Sequence, residues 1–157
     1  MKKFLALMLT LVLLMGLTPT VFATTDTIDD TTYTEIINYD DGSYIVISEI
    51  EETSQSRASS SITGSKTAKY YNSNDVVQWS ITLTGTFTYT GSSATCTASR
   101  LTYSIANDHW KFTSTTASKS GNKAKGNAIA KYYTLGIPLK TIETDIAISC
   151  SATGVLS

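Results

Sequence analysis

Val77-Gln78-Trp79-Ser80-Ile81-Thr82-Leu83-Thr84-Gly85-Thr86-Phe87-Thr88-Tyr89 decides the fold of this chain. Apart from Gly85, every odd position is apolar or aromatic and every even one is polar. This period of two is held over thirteen residues. A helix would scatter the apolar set around its circumference, whereas a pleated strand places it on one buried face. At ~3.3 Å per residue the run outlasts most strands, so Gly85 is expected to mark a bend or bulge.

The same alternation continues on both sides. Thr90-Gly91-Ser92-Ser93 reads as a turn. Cys96 and Ala98 then follow one phase, and Leu101, Tyr103 and Ile105 the other, which predicts a β-bulge at Ser99-Arg100. Trp110 and Phe112 resume after an Asn107-Asp108 turn, Ala124 to Leu135 forms another strand, and Gly136-Ile137-Pro138 breaks it. Ile142, Ile146, Ile148 and Cys150 share a face of the last strand. With residues 66–71 this makes about six strands, and no stretch beyond the N-terminal apolar run has helical periodicity. The expected fold is all-β: an antiparallel β-sandwich, immunoglobulin-like in general architecture.

Residues 1–23 read as a signal peptide: Lys2 and Lys3, the apolar run 4–17, then Val21-Phe22-Ala23 as a cleavage signal. That run is short of the roughly 20 residues of a membrane span, so no permanent membrane anchor is expected and the protein is expected to be secreted. In an oxidising compartment Cys96 and Cys150, both in the inward phase, are expected to form one disulfide. Closing that loop would contribute about 4 kcal/mol by the chain-entropy estimate.

Charge divides the remainder. Residues 24–52 hold nine acidic side chains and no basic ones, whereas residues 53–157 hold ten basic and four acidic. Within the acidic segment, residues 31–51 read as a β-hairpin turning at Asp40-Asp41-Gly42-Ser43. A lone hairpin is marginal in water, so it must pack on something or pair with another chain. Residues 53–63 are expected to be a flexible linker with Arg57 as an exposed cleavable point, and residues 64–157 the disulfide-stapled sandwich. Whether the hairpin is retained, docked by charge or removed stays open at this level.

GTFTYTGSSATCTAS (Gly85 to Ser99), SKSGN (Ser118 to Asn122), LGIP (Leu135 to Pro138), SCSATG (Ser149 to Gly154) and YDDGSYIVI (Tyr39 to Ile47) resemble a family of small secreted β-rich proteins of Gram-positive anaerobic bacteria whose role is unknown. The resemblance implies export and assigns no functional residue.

Catalytic chemistry finds little support. Asp108 and His109 are adjacent, so on a strand they point to opposite faces, and no G-x-S-x-G elbow exposes a serine. Asp29-Asp30 and Asp40-Asp41 lack the spacing of a calcium loop. No catalytic residue, cofactor or metal site is assigned. Tyr70-Tyr71 and Tyr132-Tyr133 each put one ring outside the core. Tyr71 and Tyr133 are therefore candidates for stacking on a sugar or peptide, although tyrosine also suits any half-buried pleated surface. Lys119, Lys123, Lys125 and Lys131 form a candidate basic patch.

The function expected from these features is a non-catalytic extracellular interaction module. Its partner is an anionic cell-wall polymer, a glycan or a protein, and not nucleic acid. The alternatives are a toxin or antimicrobial effector masked by the acidic segment, and a secreted hydrolase.

Overall fold

The computed structural model describes residues 33–56 and 60–157. The signal peptide, Asp29-Asp30 and Arg57 fall outside them. Among the described residues there are nine strands: β1 (Tyr33–Asn38), β2 (Tyr44–Ser48), β3 (Glu51–Ser56), β4 (Ser61–Tyr71), β5 (Val77–Tyr89), β6 (Ala94–Ile105), β7 (Trp110–Ser120), β8 (Lys123–Thr134) and β9 (Ile137–Ser149). They form a six-stranded antiparallel sheet, ordered β1-β2-β4-β5-β6 with β3 also on β4, and a three-stranded sheet, β7-β8-β9. The sheets stack as a β-sandwich whose single core draws side chains from both. Each sheet is a meander and the chain crosses between them once, at β6–β7. The layers are those of an immunoglobulin domain, but the Greek-key connections are not.

β5 lies at the centre as its alternation requires. Trp79, Ile81, Leu83 and Phe87 are fully buried, while its threonines face outward. Opposite this row β8 presents Ala124, Gly126, Ala128 and Ala130. Large side chains of one sheet thus meet small ones of the other across the interlayer space. Gly85 serves that packing: a Cβ there would lie 2.8 Å from the Phe87 ring and 2.9 Å from the Ala124 Cβ. The bulge falls two residues earlier than expected. Thr86 pairs with Ala98 but Phe87 pairs with Cys96, so Thr97 is the extra residue and Ala98 faces solvent.

The expected domain boundary is corrected by the pairing. Residues 31–157 form one compact unit. Most of the expected linker is strand, because β3 pairs with the first half of β4, Glu51 opposite Ser65 through Ser56 opposite Ser61. β2 pairs with the second half, Tyr44 opposite Tyr71 through Ile47 opposite Ala68. Strands β2 and β3 thus share one edge of an eleven-residue neighbour. Ile45 and Ile47 enter the core, so the acidic hairpin is built into the sheet by hydrogen bonds and apolar burial.

The expected disulfide is also corrected: Cys96 and Cys150 are both buried and both free thiols. What joins their strands is backbone. Cys96 N–H donates to Gly121 O at 2.8 Å and Cys150 N–H to Asn122 O at 3.0 Å, so the β7–β8 turn reaches both. Each thiol is oriented toward a nearby carbonyl, Cys96 Sγ to Ala98 O at 3.2 Å and Cys150 Sγ to Ser151 O at 3.4 Å. Burial pushes both thiol pKa values up, which favours the protonated form.

Candidate functional site

Several loops meet at one end of the sandwich: the β1–β2 turn, the β4–β5 loop, the β6–β7 loop and the start of β9. Side chains brace them from within. Asp41 Oδ1 accepts from the N–H and Oγ of Ser43, at 3.2 and 2.6 Å, and closes the first turn. Asn72 Oδ1 accepts from the N–H groups of Asn74 and Val76, both at 3.0 Å, and shapes the second loop. Gln78 is buried, out of step with the polar phase of β5, because it organises the third. Its backbone carbonyl accepts from the N–H groups of Ala106 and Asn107, and its Oε1 accepts from Asn107 Nδ2 at 2.7 Å.

Between these loops opens a pocket of about 270 Å³. Its aromatic wall is Tyr70, Trp110 and Tyr132, part of a ring cluster in which Tyr70 and Trp110 lie 5.1 Å apart and Trp110 and Tyr132 5.5 Å apart. Its polar groups are the Asn72, Gln78 and Asn107 amides, Ser43, Asp41 and Lys140. His109 stacks on Tyr132 at the rim, 5.5 Å between centroids, and its Nδ1 lies 3.1 Å from Asp108 Oδ1.

Lys140 is the hub. Its ammonium donates to Asp41 Oδ2 and, at 2.8 Å, to Ser43 Oγ. It also lies 5.3 Å from the ring centres of both Tyr39 and Tyr70. Partial burial acts to lower its pKa, but hydrogen bonds to Asp41 and Tyr70 outweigh this and raise it above the ordinary lysine value. The Lys140 and Ser43 hydrogen bonds in turn hold the Asp41 carboxyl well below the usual carboxylate range. Burial, then the neighbouring Tyr70, pushes the Tyr39 phenol up. Serine, lysine and aspartate in mutual contact resemble a nucleophile with its base. A lysine base must be neutral, however, and this one is held charged.

The residues singled out from sequence do not converge. Lys123, Lys125, Lys131 and Tyr133 lie along β8 on the outer face of the smaller sheet. Asn127 draws Glu143 and Asp145 in among these lysines through hydrogen bonds of 3.0 Å each. Lys119 instead donates to Thr97 O at 2.6 Å and bridges toward β6. Tyr71 stacks on Tyr44 in the other sheet, with ring centres 4.9 Å apart. Among the described residues no group of three or more histidine, cysteine or acidic side chains could hold a metal ion. Sequence reading missed Ser43, Asn72, Gln78, Asn107 and Lys140. The one available signal was Gln78, where loops rich in Asn and Asp adjoin the strand that decides the fold. Comparison finds no match for this chain among protein families, curated proteins or solved structures.

Proposed function

We propose that this chain is an exported, non-catalytic binding module that holds a glycan in the mouth of its sandwich. The observation that carries the reading is the convergence of Tyr70, Trp110 and Tyr132 with the Asn72, Gln78 and Asn107 amides around a pocket of about 270 Å³. A sugar ring has an apolar C–H face and a rim of hydroxyls, and the partly exposed Tyr132 ring, backed by the buried Tyr70 and Trp110, together with fixed amides suits both. A neutral glycan suits the mouth better than an anionic wall polymer. Among the described residues lining it, the one cation, Lys140, is already paired with Asp41. The effector reading loses support because the acidic hairpin carries Ile45 and Ile47 into the core and cannot leave as a mask. Export rests on the N-terminal leader read from the sequence.

Titration of soluble wall-derived and N-acetylglucosamine oligosaccharides, followed by tryptophan fluorescence and calorimetry, tests this reading. A fluorescence change is expected from Trp110, and Tyr132→Ala or Asn107→Ala should weaken binding about tenfold. Absence of binding across the set, or binding indifferent to both substitutions, would overturn it.

A further inference from the structure

The β8–β9 hairpin and its neighbour β7 carry three features that serve nothing in the core. Leu135 is 98% exposed, and Ile137 and Leu139 are 61% and 64% exposed. Leu135 sits at φ +51°, followed by Gly136 at φ +80°. This left-handed pair suits Asn-Gly or Gly-Gly, and leucine has no local hydrogen bond to offset its strain there. Finally, Lys111 on β7 stands directly opposite Lys131 on β8, a like-charge cross-strand pair. Lys111 also lies over the Tyr133 ring, 5.6 Å from its centre.

All three suit one kind of surface, apolar in depth and anionic at its face. We propose that this hairpin docks the protein reversibly on anionic lipid membranes. Leu135 and Ile137 enter the acyl boundary, Leu139 and Tyr133 lie at its headgroup edge, and Lys111 and Lys131 meet lipid phosphates. Along the hairpin Leu135 and Ile137 lie at the tip, Tyr133 and the bulged Leu139 follow, and Lys131 with Lys111 opposite it lies beyond them. Of the aspartates at the same end, Asp41 is bound to Lys140, while Asp40, Asp75, which accepts from the Tyr44 hydroxyl at 3.0 Å, and Asp108, beside His109, keep their charge on the neighbouring turns and not on the β8–β9 hairpin itself. A second copy of the chain would satisfy the leucines but would bring further lysines against Lys111 and Lys131.

The test is vesicle co-sedimentation of residues 24–157, so that the apolar leader does not itself bind lipid; the compact unit 31–157 retains the whole described core. Pure phosphatidylcholine vesicles are compared with mixed phosphatidylcholine–phosphatidylglycerol vesicles. Binding is expected to the mixed vesicles and to weaken with salt. The triple variant Leu135→Asn, Ile137→Thr, Leu139→Thr should bind about tenfold more weakly or worse. Its melting temperature should be unchanged or higher, since Asn tolerates the left-handed turn and Thr suits a strand. Lys111→Gln with Lys131→Gln should abolish the preference for phosphatidylglycerol. Failure of the unsubstituted protein to sediment with the mixed vesicles, or equal binding by the triple variant, would overturn the proposal. So would self-association in solution that the triple variant abolishes without any vesicle binding, because the tip would then be a contact between copies.

Discussion

Thr144 shows how a single residue records a local conflict. It is buried on β9 and its Oγ1 has no hydrogen-bond partner among the described residues. A buried orphan hydroxyl is a net cost, so Thr144→Val should stabilise the protein by about 1 kcal/mol, read as a shift in the urea midpoint at unchanged m. Gly85→Ala should act oppositely, because its Cβ would collide with the Phe87 ring and with Ala124, and a loss of about 1–3 kcal/mol is expected in the same assay. Asp41 and Lys140 set a pH window. The folded state holds Asp41 below the range of a free aspartate, about 3.9, so its contribution is present at neutral pH and is lost as pH falls below about 4. It holds Lys140 above a free lysine, about 10.4, so that contribution is present below this value and is lost as pH rises past it. Asp41 is largely exposed, so the effect is small. Asp41→Asn should flatten the acid side of a melting-temperature profile relative to the unsubstituted protein.

The hairpin of β1 and β2 makes a distinct case among the elements. Its acidic composition invites a docking model based on charge, yet its attachment is the β2–β4 ladder and the burial of Ile45 and Ile47. Exposed charge pairs are screened over about 8 Å at physiological salt, whereas ladders and apolar contacts are not. Limited proteolysis of the hairpin should therefore proceed at the same rate in low and high salt. Ile47→Ala should cost about 2–5 kcal/mol in chemical denaturation, as for any large-to-small change in a packed core. Salt-sensitive protection with an intact core would restore the charge-docked picture.

Over the whole molecule, the two meanders are joined by one crossover, so side-chain packing across the layer, with a few hydrogen bonds at its ends such as Cys96 N–H to Gly121 O and Lys140 to Asp41, brings the sheets together. Large residues of β5 against the alanines of β8 make that packing directional. Trp79 is fully buried and contacts the Tyr70, Trp110 and Phe112 rings, drawn from both sheets. Trp79→Ala should therefore loosen the mouth as well as the core. A stability loss of about 3–5 kcal/mol is expected, together with a changed near-ultraviolet circular dichroism signal from the Trp110–Tyr132 pair.

The alternation in β5 determined by itself that the chain is all-β, which face of each long strand is buried, and that two layers must cover one another. Period two is a property of neighbouring residues, and it survives whatever the strand packs against. The same logic placed Cys96 and Cys150 in the core and, with their number and compartment, led to an expected disulfide, whereas both are free, since phase sets direction and not bonding. The TSQSRASSS stretch at 53–61 lacked any apolar period, yet residues 53–56 of it became edge strand because a vacant length of β4 offered them backbone partners. Lysine clustering along β8 was legible, while the mouth was not. Asp41 and Lys140, 99 residues apart, meet only because β9 lies over β4. That stacking depends on how Ala-rich β8 and the large residues of β5 fit together, a match between distant strands that no window along the chain contains.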